Sequence, residues 1–412
     1  MNTRKREGLS LFLLAFIAYT VSYFGRNTFA SCISAMAGEG LLAAGADGLI
    51  SSAYLICYGS GQLINGFVAM KLSPKLMIPT GLIGSGLCNL LMIAAGGNTA
   101  VYIVLWAANG FFCSMLWPSV IRIFTLWMTK DERERSAASI SPSIPIGSII
   151  CYLISFIMLR FGSWKQVFVL SGGLLCAGGI LLSVYMKAIG ATISERDAEG
   201  RSAIAEENSG KAPKMTPAMI FAFGLGIMIV ASFFNGTLKE AVLSWVPKFL
   251  SQRHGMSDSS AALVSTLIPA FSVTGPYFAA FVNRRFFDNE CKTIALLMAI
   301  SAAANALILT GAGTALTVAM LAVSASCMWG VNTMLMTYTT YHFSRMGLST
   351  AVSGLLNCTV FIGSSGFTVL YGRLADGFGW TCSVVAWVAC GVVAAVACLA
   401  GSGTWKRKRP EA

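Results

Sequence analysis

Apolar positions gather into runs of about 20 residues or more, each long enough to cross a bilayer. They lie near 10–36, 48–70, 76–96, 100–128, 136–159 and 164–186, then near 216–238, 259–282, 291–311, 315–340, 350–372 and 380–402. The pattern predicts an all-α integral membrane protein with twelve transmembrane helices, arranged as two pseudo-symmetric six-helix halves. An even number of spans puts both termini on one side. The expected organisation is a first half over 1–188, a polar linker over 189–214 and a second half over 215–412. Glu195, Arg196, Asp197, Glu199, Arg201, Glu206, Glu207, Lys211 and Lys214 make that linker the most highly charged stretch of the chain.

The two halves read as one module written twice. Arg26 and Lys239 are cations deep inside apolar runs, 213 residues apart. Forty-five residues after each comes a short basic loop, at Lys71 and at Arg284. Trp117 follows the first cation by 91 residues and Trp329 follows the second by 90. Phe161-Gly162-Ser163-Trp164 and Phe378-Gly379-Trp380 close the series. A charge in hydrocarbon costs at least ~2.5–3.5 kcal/mol on insertion scales, so such residues are functional candidates by default. Two of them at equivalent places suggest one anion held between the halves.

Composition agrees and excludes other classes. The chain of 412 residues is 56% hydrophobic and 11% charged, whereas roughly a quarter of residues are charged in soluble domains. Its net charge of +12 would fit a nucleic-acid binder, but the placement of the cations argues otherwise. Of 29 Lys and Arg residues, 21 fall in the end segments and even-numbered loops and five in the odd-numbered loops. By the positive-inside rule the termini and central loop are cytoplasmic, and no nucleic-acid partner is expected. The remaining three are Arg26, Arg122 and Lys239. Lys5-Arg6 precedes an apolar run that carries Arg26, which reads as a retained first span and not a cleaved signal. The twelve cysteines show no C-x-x-C pair or Cys/His cluster of metal spacing, so they read as small buried hydrophobes, and no metal or cofactor is expected.

Within span one, Tyr19, Ser22, Tyr23 and Arg26 recur at i, i+3, i+4 and i+7 and share a helical face. Asn235 lies one turn before Lys239, and Glu240 adjoins it, either as a coupling acid or as a charge-balancing one. Arg122 is about two turns before Lys130 and is expected to snorkel toward the interface in a structural role. Asn332, Tyr338 and Asn357 are open to two readings, cavity lining or helix packing. Pro142 and Pro145 should kink span five, either for packing or to line a cavity, with Ser139, Ser141 and Ser143 available to satisfy freed backbone groups. His254 and His342 receive no role.

Three local patterns carry a family likeness: Tyr19-x-x-x-Tyr23-x-x-Arg26, Trp117-Pro118-x-x-x-Arg122-x-x-x-x-Trp127 followed by Asp131-Glu132-Arg133, and Trp245-x-Pro247. The chain resembles the organophosphate:phosphate antiporters of the major facilitator superfamily, the group of the glycerol-3-phosphate and hexose-phosphate carriers. That resemblance implies two arginines, in spans one and seven, clasping the substrate phosphate. Arg26 matches the first, and Lys239 takes the place of the second as a point charge without a guanidinium fork. Ile144 stands at the family's histidine, and Met70 and Asn283 stand at the acids of the superfamily's loop motif.

The implied function is secondary transport of a small organic anion, most simply a sugar phosphate or glycerol phosphate exchanged for inorganic phosphate by alternating access. The candidate substrate-binding residues are Arg26, Lys239, Tyr19, Tyr23, Asn235, Tyr338, Asn332 and Asn357. Expected partners are a small anionic substrate, inorganic phosphate and membrane lipid, with the chain acting as a monomer in the cytoplasmic membrane. Two alternatives stay open: a proton-coupled carboxylate or zwitterion transporter using Glu240, and a transporter-like sugar-phosphate sensor. No Walker loop, H-E-x-x-H or G-x-S-x-G occurs, so neither ATP as energy source nor an enzyme is expected.

Overall fold

Helix boundaries fall where the sequence supplies caps. Ser73 accepts from the Lys75 amide at 3.3 Å with Pro74 at the first helical position, and starts the helix Pro74–Met92. Asn98 accepts from the Ala100 and Val101 amides at 3.0 and 3.2 Å and starts Thr99–Cys113. The computed structural model describes residues 3–42, 46–207, 222–256, 264, 267–311 and 313–410. In chain order its helices are α1 (Thr3–Gly38), α2 (Ala46–Lys71), α3 (Pro74–Met92), α4 (Thr99–Cys113), α5 (Leu116–Arg122), α6 (Lys130–Ser139), α7 (Ser143–Phe161), α8 (Trp164–Ala188) and α9 (Gly190–Glu207). There follow α10 (Leu225–His254), α11 (Leu267–Ser272), α12 (Thr274–Val282), α13 (Glu290–Ile308), α14 (Thr314–Thr333), α15 (Thr339–Tyr341), α16 (Ser349–Phe378) and α17 (Trp380–Lys408).

Among the described residues, nine helices are long and apolar enough to cross a membrane by themselves. The other three expected spans are α2, the apolar part of α10 and the α11–α12 stretch. Each buries one stripe and leaves large apolar side chains outside. On α3, Met77, Ile78, Leu82 and Met92 are buried, whereas Leu76, Leu87 and Leu91 are exposed. In a soluble protein such a belt would be a liability; against acyl chains it is the expected surface.

By contact density the chain forms two compact units: residues 1–136, 142–213 and 344–358, and residues 137–141, 214–343 and 359–412. In the first unit Ser85 donates to Asn109 Oδ1 at 2.6 Å and Asn109 donates to the Gly25 carbonyl at 2.7 Å, tying α3, α4 and α1 together. Hydrogen bonds between helices matter in hydrocarbon because no water competes for the partners. A Cβ on Gly25 would collide with the Ser85 hydroxyl, so only glycine lets α1 approach here.

The duplication is visible in detail within each unit. Trp164 donates to Glu39 Oε2 at 2.9 Å, and Trp380 donates to Gln252 Oε1 at 2.8 Å. The Phe-Gly-Trp landmarks therefore clamp the start of each half's last span to the end of its first. Span four ends in a π-helical turn, Ile123–Trp127, and span ten reaches one at the equivalent place, Met334–Tyr338. Such turns mark local departures from regular helix that often coincide with function.

Three expectations change. Span five starts at Lys130, earlier than the apolar run suggests, and breaks at Ile140–Pro142 where the prolines interrupt it. The Ser141 hydroxyl lies 3.4 Å from that of Thr333 in α14. Arg122 does not snorkel outward: it is buried and donates to the Ala69 carbonyl, because α5 turns it toward the end of α2. The charged stretch after α8 is helical over Gly190–Glu207 and docked on the first unit. Trp127 donates to Asp197 Oδ1 at 2.9 Å, and Arg196 pairs with Glu132 at 2.9 Å and Glu7 at 3.4 Å. Partial burial works against the charge of Asp197, but the Trp127 hydrogen bond and Arg201 outweigh it and hold its carboxyl below the usual carboxylate range.

Candidate functional site

In the first unit, the stripe read from span one is buried inward. Tyr19 and Tyr23 are 7% and 6% exposed, with rings edge-on at 5.6 Å. Arg26 lies with its guanidinium carbon 5.7 Å from the Tyr23 ring centre and 5.3 Å from that of Tyr58 on α2. Both rings offer a cation–π contact that favours the positive charge at this half-buried position. Tyr58 in turn stacks on Tyr54 at 5.8 Å, and Tyr19 meets Trp117 at 5.0 Å. The Trp117 indole donates to Ser353 at 3.0 Å. The result is an aromatic wall with one guanidinium set into it.

Asn357 belongs to this unit. It donates to Gln62 Oε1 of α2 at 3.3 Å, a packing contact between polar side chains. Tyr58 and Gln62 were not singled out from the sequence, although Tyr54, Tyr58 and Gln62 recur every four residues, as a polar stripe on α2 should.

In the second unit, Lys239 on α10 places its ammonium 4.7 Å from the ring centre of Trp329 on α14. The landmark tryptophan of the second half is thus a direct neighbour of its cation. One turn earlier, buried Asn235 donates to Asn332 Oδ1 at 3.4 Å, so these two candidates come together beside Lys239. A Cβ on Gly236 would collide with the Val360 carbonyl; glycine there sets α10 hard against α16. Tyr338 is placed elsewhere, in the π-helical turn against Tyr341. Its neighbour Thr339 touches Met228, about 16 Å along α10 from Lys239 at 1.5 Å per residue. Glu240 follows Lys239 in α10, and its side chain lies outside the described residues.

Asn283, the residue set against the superfamily's acidic position, acts as an acceptor: its Oδ1 receives the Asn289 amide at 3.2 Å and the Thr293 hydroxyl at 2.8 Å. Beside it lies a charge cluster missed in the sequence. Glu290, 3% exposed, accepts from His342 at 3.0 Å, Trp405 at 2.8 Å and Arg409 at 2.8 Å, binding α13 to the end of α17 and the segment after α15.

The Major Facilitator Superfamily profile matches residues 15–368. The chain belongs to the Major Facilitator Superfamily. Members are transporters, not enzymes, and the multi-pass helical architecture is that of the family. The likeness to the organophosphate carriers is borne out by curated relatives. The glycerol-3-phosphate transporter of Bacillus subtilis (strain 168) is 23% identical over 393 residues, covering 91% of this chain and 88% of that one. A probable hexose phosphate transport protein of Chlamydia trachomatis is 23% identical over 292 residues, 67% of this chain. The match spans 64% of that relative's length, just under two thirds. Membrane sensor protein UhpC of Escherichia coli (strain K12) is 26% identical over 175 residues, 42% of this chain and 39% of that one. Among solved structures, the proton:xylose symporter XylE superposes with a TM-score of 0.76 at 13% identity over 95% of both chains. The transporter FucP gives 0.69 at 17% identity, covering 95% of this chain and 98% of that one. These two show the fold alone.

Proposed function

We propose that this protein is a secondary transporter of an organophosphate, a sugar phosphate or glycerol phosphate, which it exchanges for inorganic phosphate. The observation that carries the reading is Arg26, a half-buried guanidinium beside Tyr23 and Tyr58 at the place where the resembling family binds phosphate, with Lys239 at the equivalent place of the second half. A phosphate group accepts several charge-assisted hydrogen bonds at once. Arg26 offers a planar fork, Lys239 a compact second charge, and Tyr19, Tyr23 and Tyr58 offer hydroxyls around the first. Asn235 and Asn332 supply neutral donors beside the second. The names of the curated relatives support the same substrate class.

The sensor reading has its own support in the relative named a membrane sensor. Purified protein reconstituted in liposomes separates the two. Accumulation of labelled glycerol 3-phosphate or hexose 6-phosphate identifies a transporter; binding of the ester with zero flux identifies a sensor and overturns the transport reading.

The asymmetry of 21 against five basic residues supports an orientation with both termini in the cytoplasm. With Cys382, the exposed native thiol among the described residues, replaced by serine, a cysteine at exposed Ala100 should react with impermeant maleimide outside intact cells. Labelling of a C-terminal tag from outside would reverse the orientation.

A further inference from the structure

His342 is buried in the polar cluster of the second unit, and both of its ring nitrogens face oxygen. Nε2 lies 3.0 Å from Glu290 Oε1 on α13, and Nδ1 lies 3.0 Å from the carbonyl of Pro410, two residues beyond α17. A backbone carbonyl can only accept. The carboxyl is restricted in the same way, because Arg409 and Trp405 both donate to its Oε2 at 2.8 Å and favour the ionised form. A neutral imidazole carries a single N–H, so both contacts are hydrogen bonds only when the ring is doubly protonated. The charged groups around it come from three places: Glu290 from α13, Arg409 from just beyond α17, and Asp288 from the turn before α13, which pairs with Arg409 at 3.3 Å. Trp405 closes the cluster, edge-on to the imidazole at 5.8 Å.

We propose that His342 is a proton-operated latch on the C-terminal end of α17. As imidazolium it bridges Glu290 and Pro410, so the chain beyond Trp405 is tied down twice, by Arg409 on Glu290 and by Pro410 on the ring. Removing one proton removes one of the ring's two bonds. The proton on Nε2 is the one retained, because its partner is a charge and a charge-assisted bond is roughly twice as strong as one to a neutral carbonyl. The contact with Pro410 therefore opens, while Glu290 keeps its bonds to Arg409 and Trp405. The sign follows: the latch is closed at lower pH and opens as pH rises, within the range of about pH 5 to 8 where imidazole changes charge. Arg409 works against the second charge on the ring and Glu290 works for it. The device uses neither Arg26 nor Lys239 and stands whatever the substrate is.

The test uses the full chain in phosphatidylcholine nanodiscs, with 15N in the imidazole rings of its two histidines. His254→Asn assigns the remaining signals to His342. At about pH 5.5 both ring nitrogens of His342 should carry protons, and at about pH 8.5 only Nε2 should. Hydrogen exchange at the end of α17, where the Arg409 amide bonds the Trp405 carbonyl at 2.8 Å, reads the latch itself. Corrected for the intrinsic rate at each pH, protection there should fall roughly tenfold or more between the lower and the higher pH, as expected for loss of a charge-assisted bond. His342→Gln keeps a donor for Glu290 but has none left for Pro410, so its protection should be low at both. A single protonation state of His342 at both pH values overturns the proposal on the unsubstituted chain alone. Protection that ignores pH, or that His342→Gln leaves at the level seen at lower pH, overturns it as well.

Discussion

Replacing Arg26 by lysine should weaken binding of a phosphate ester by about 10- to 150-fold, the equivalent of one lost charge-assisted hydrogen bond at ~1.5–3 kcal/mol. The substitution keeps the positive charge and the cation–π contacts that Tyr23 and Tyr58 offer at 5.7 and 5.3 Å. It removes the planar fork, so two phosphate oxygens can no longer be met in parallel. Folding should survive, because α1 is also packed through Gly25, the Asn109 hydrogen bond and the edge-on Tyr19–Tyr23 pair. Ligand-induced thermal stabilisation of detergent-purified protein gives both quantities at once, since a ligand that binds the native state raises its melting temperature by mass action. Wild-type affinity in the lysine variant would remove Arg26 from the list of ligands.

The second large effect concerns stability. Glu290→Gln should destabilise the second unit by about 3 kcal/mol or more, the usual result of removing one partner from a buried ion pair. The side chain keeps its shape and can still accept from Trp405, but Arg409 and His342 lose the carboxylate they converge on. Adding Arg409→Gln should restore part of the loss, because it removes a charge whose remaining partner, Asp288 at 3.3 Å, is largely exposed. A melting temperature unchanged in the single variant would show that the cluster is incidental to stability.

The positions of both cations were legible because a charge inside a long apolar run has no cheap structural reason to be there. The duplicated landmarks were legible for a similar reason: spacing survives where composition drifts. Trp117 and Trp329 proved to be neighbours of the two clusters, and Trp164 and Trp380 proved to be clamps. Tyr58 was hidden because α2 alternates polar and small residues on more than one face, so its Tyr54–Tyr58–Gln62 stripe does not stand out. Asn357 could not be assigned to a partner by periodicity, which says which face a residue occupies but not what lies opposite. The charge of Gly190–Glu207 reads as that of a linker. That same charge, through Arg196, Asp197 and Trp127, is what docks it. Glu290 escaped notice at the boundary of an apolar run, where an acid is ordinarily solvated; only the fold brings His342, Trp405 and Arg409 to it.

The measurement that bears most directly on the transport reading is uptake of labelled sugar phosphate into proteoliposomes prepared with and without internal phosphate, at equal pH on both sides. Exchange predicts rapid uptake only in the phosphate-loaded vesicles, and predicts that it persists in Glu240→Gln, because the counter-substrate resets the site and no titrating acid is needed. Uptake that ignores internal phosphate, follows an imposed pH gradient and disappears in Glu240→Gln would contradict exchange and establish proton coupling in its place.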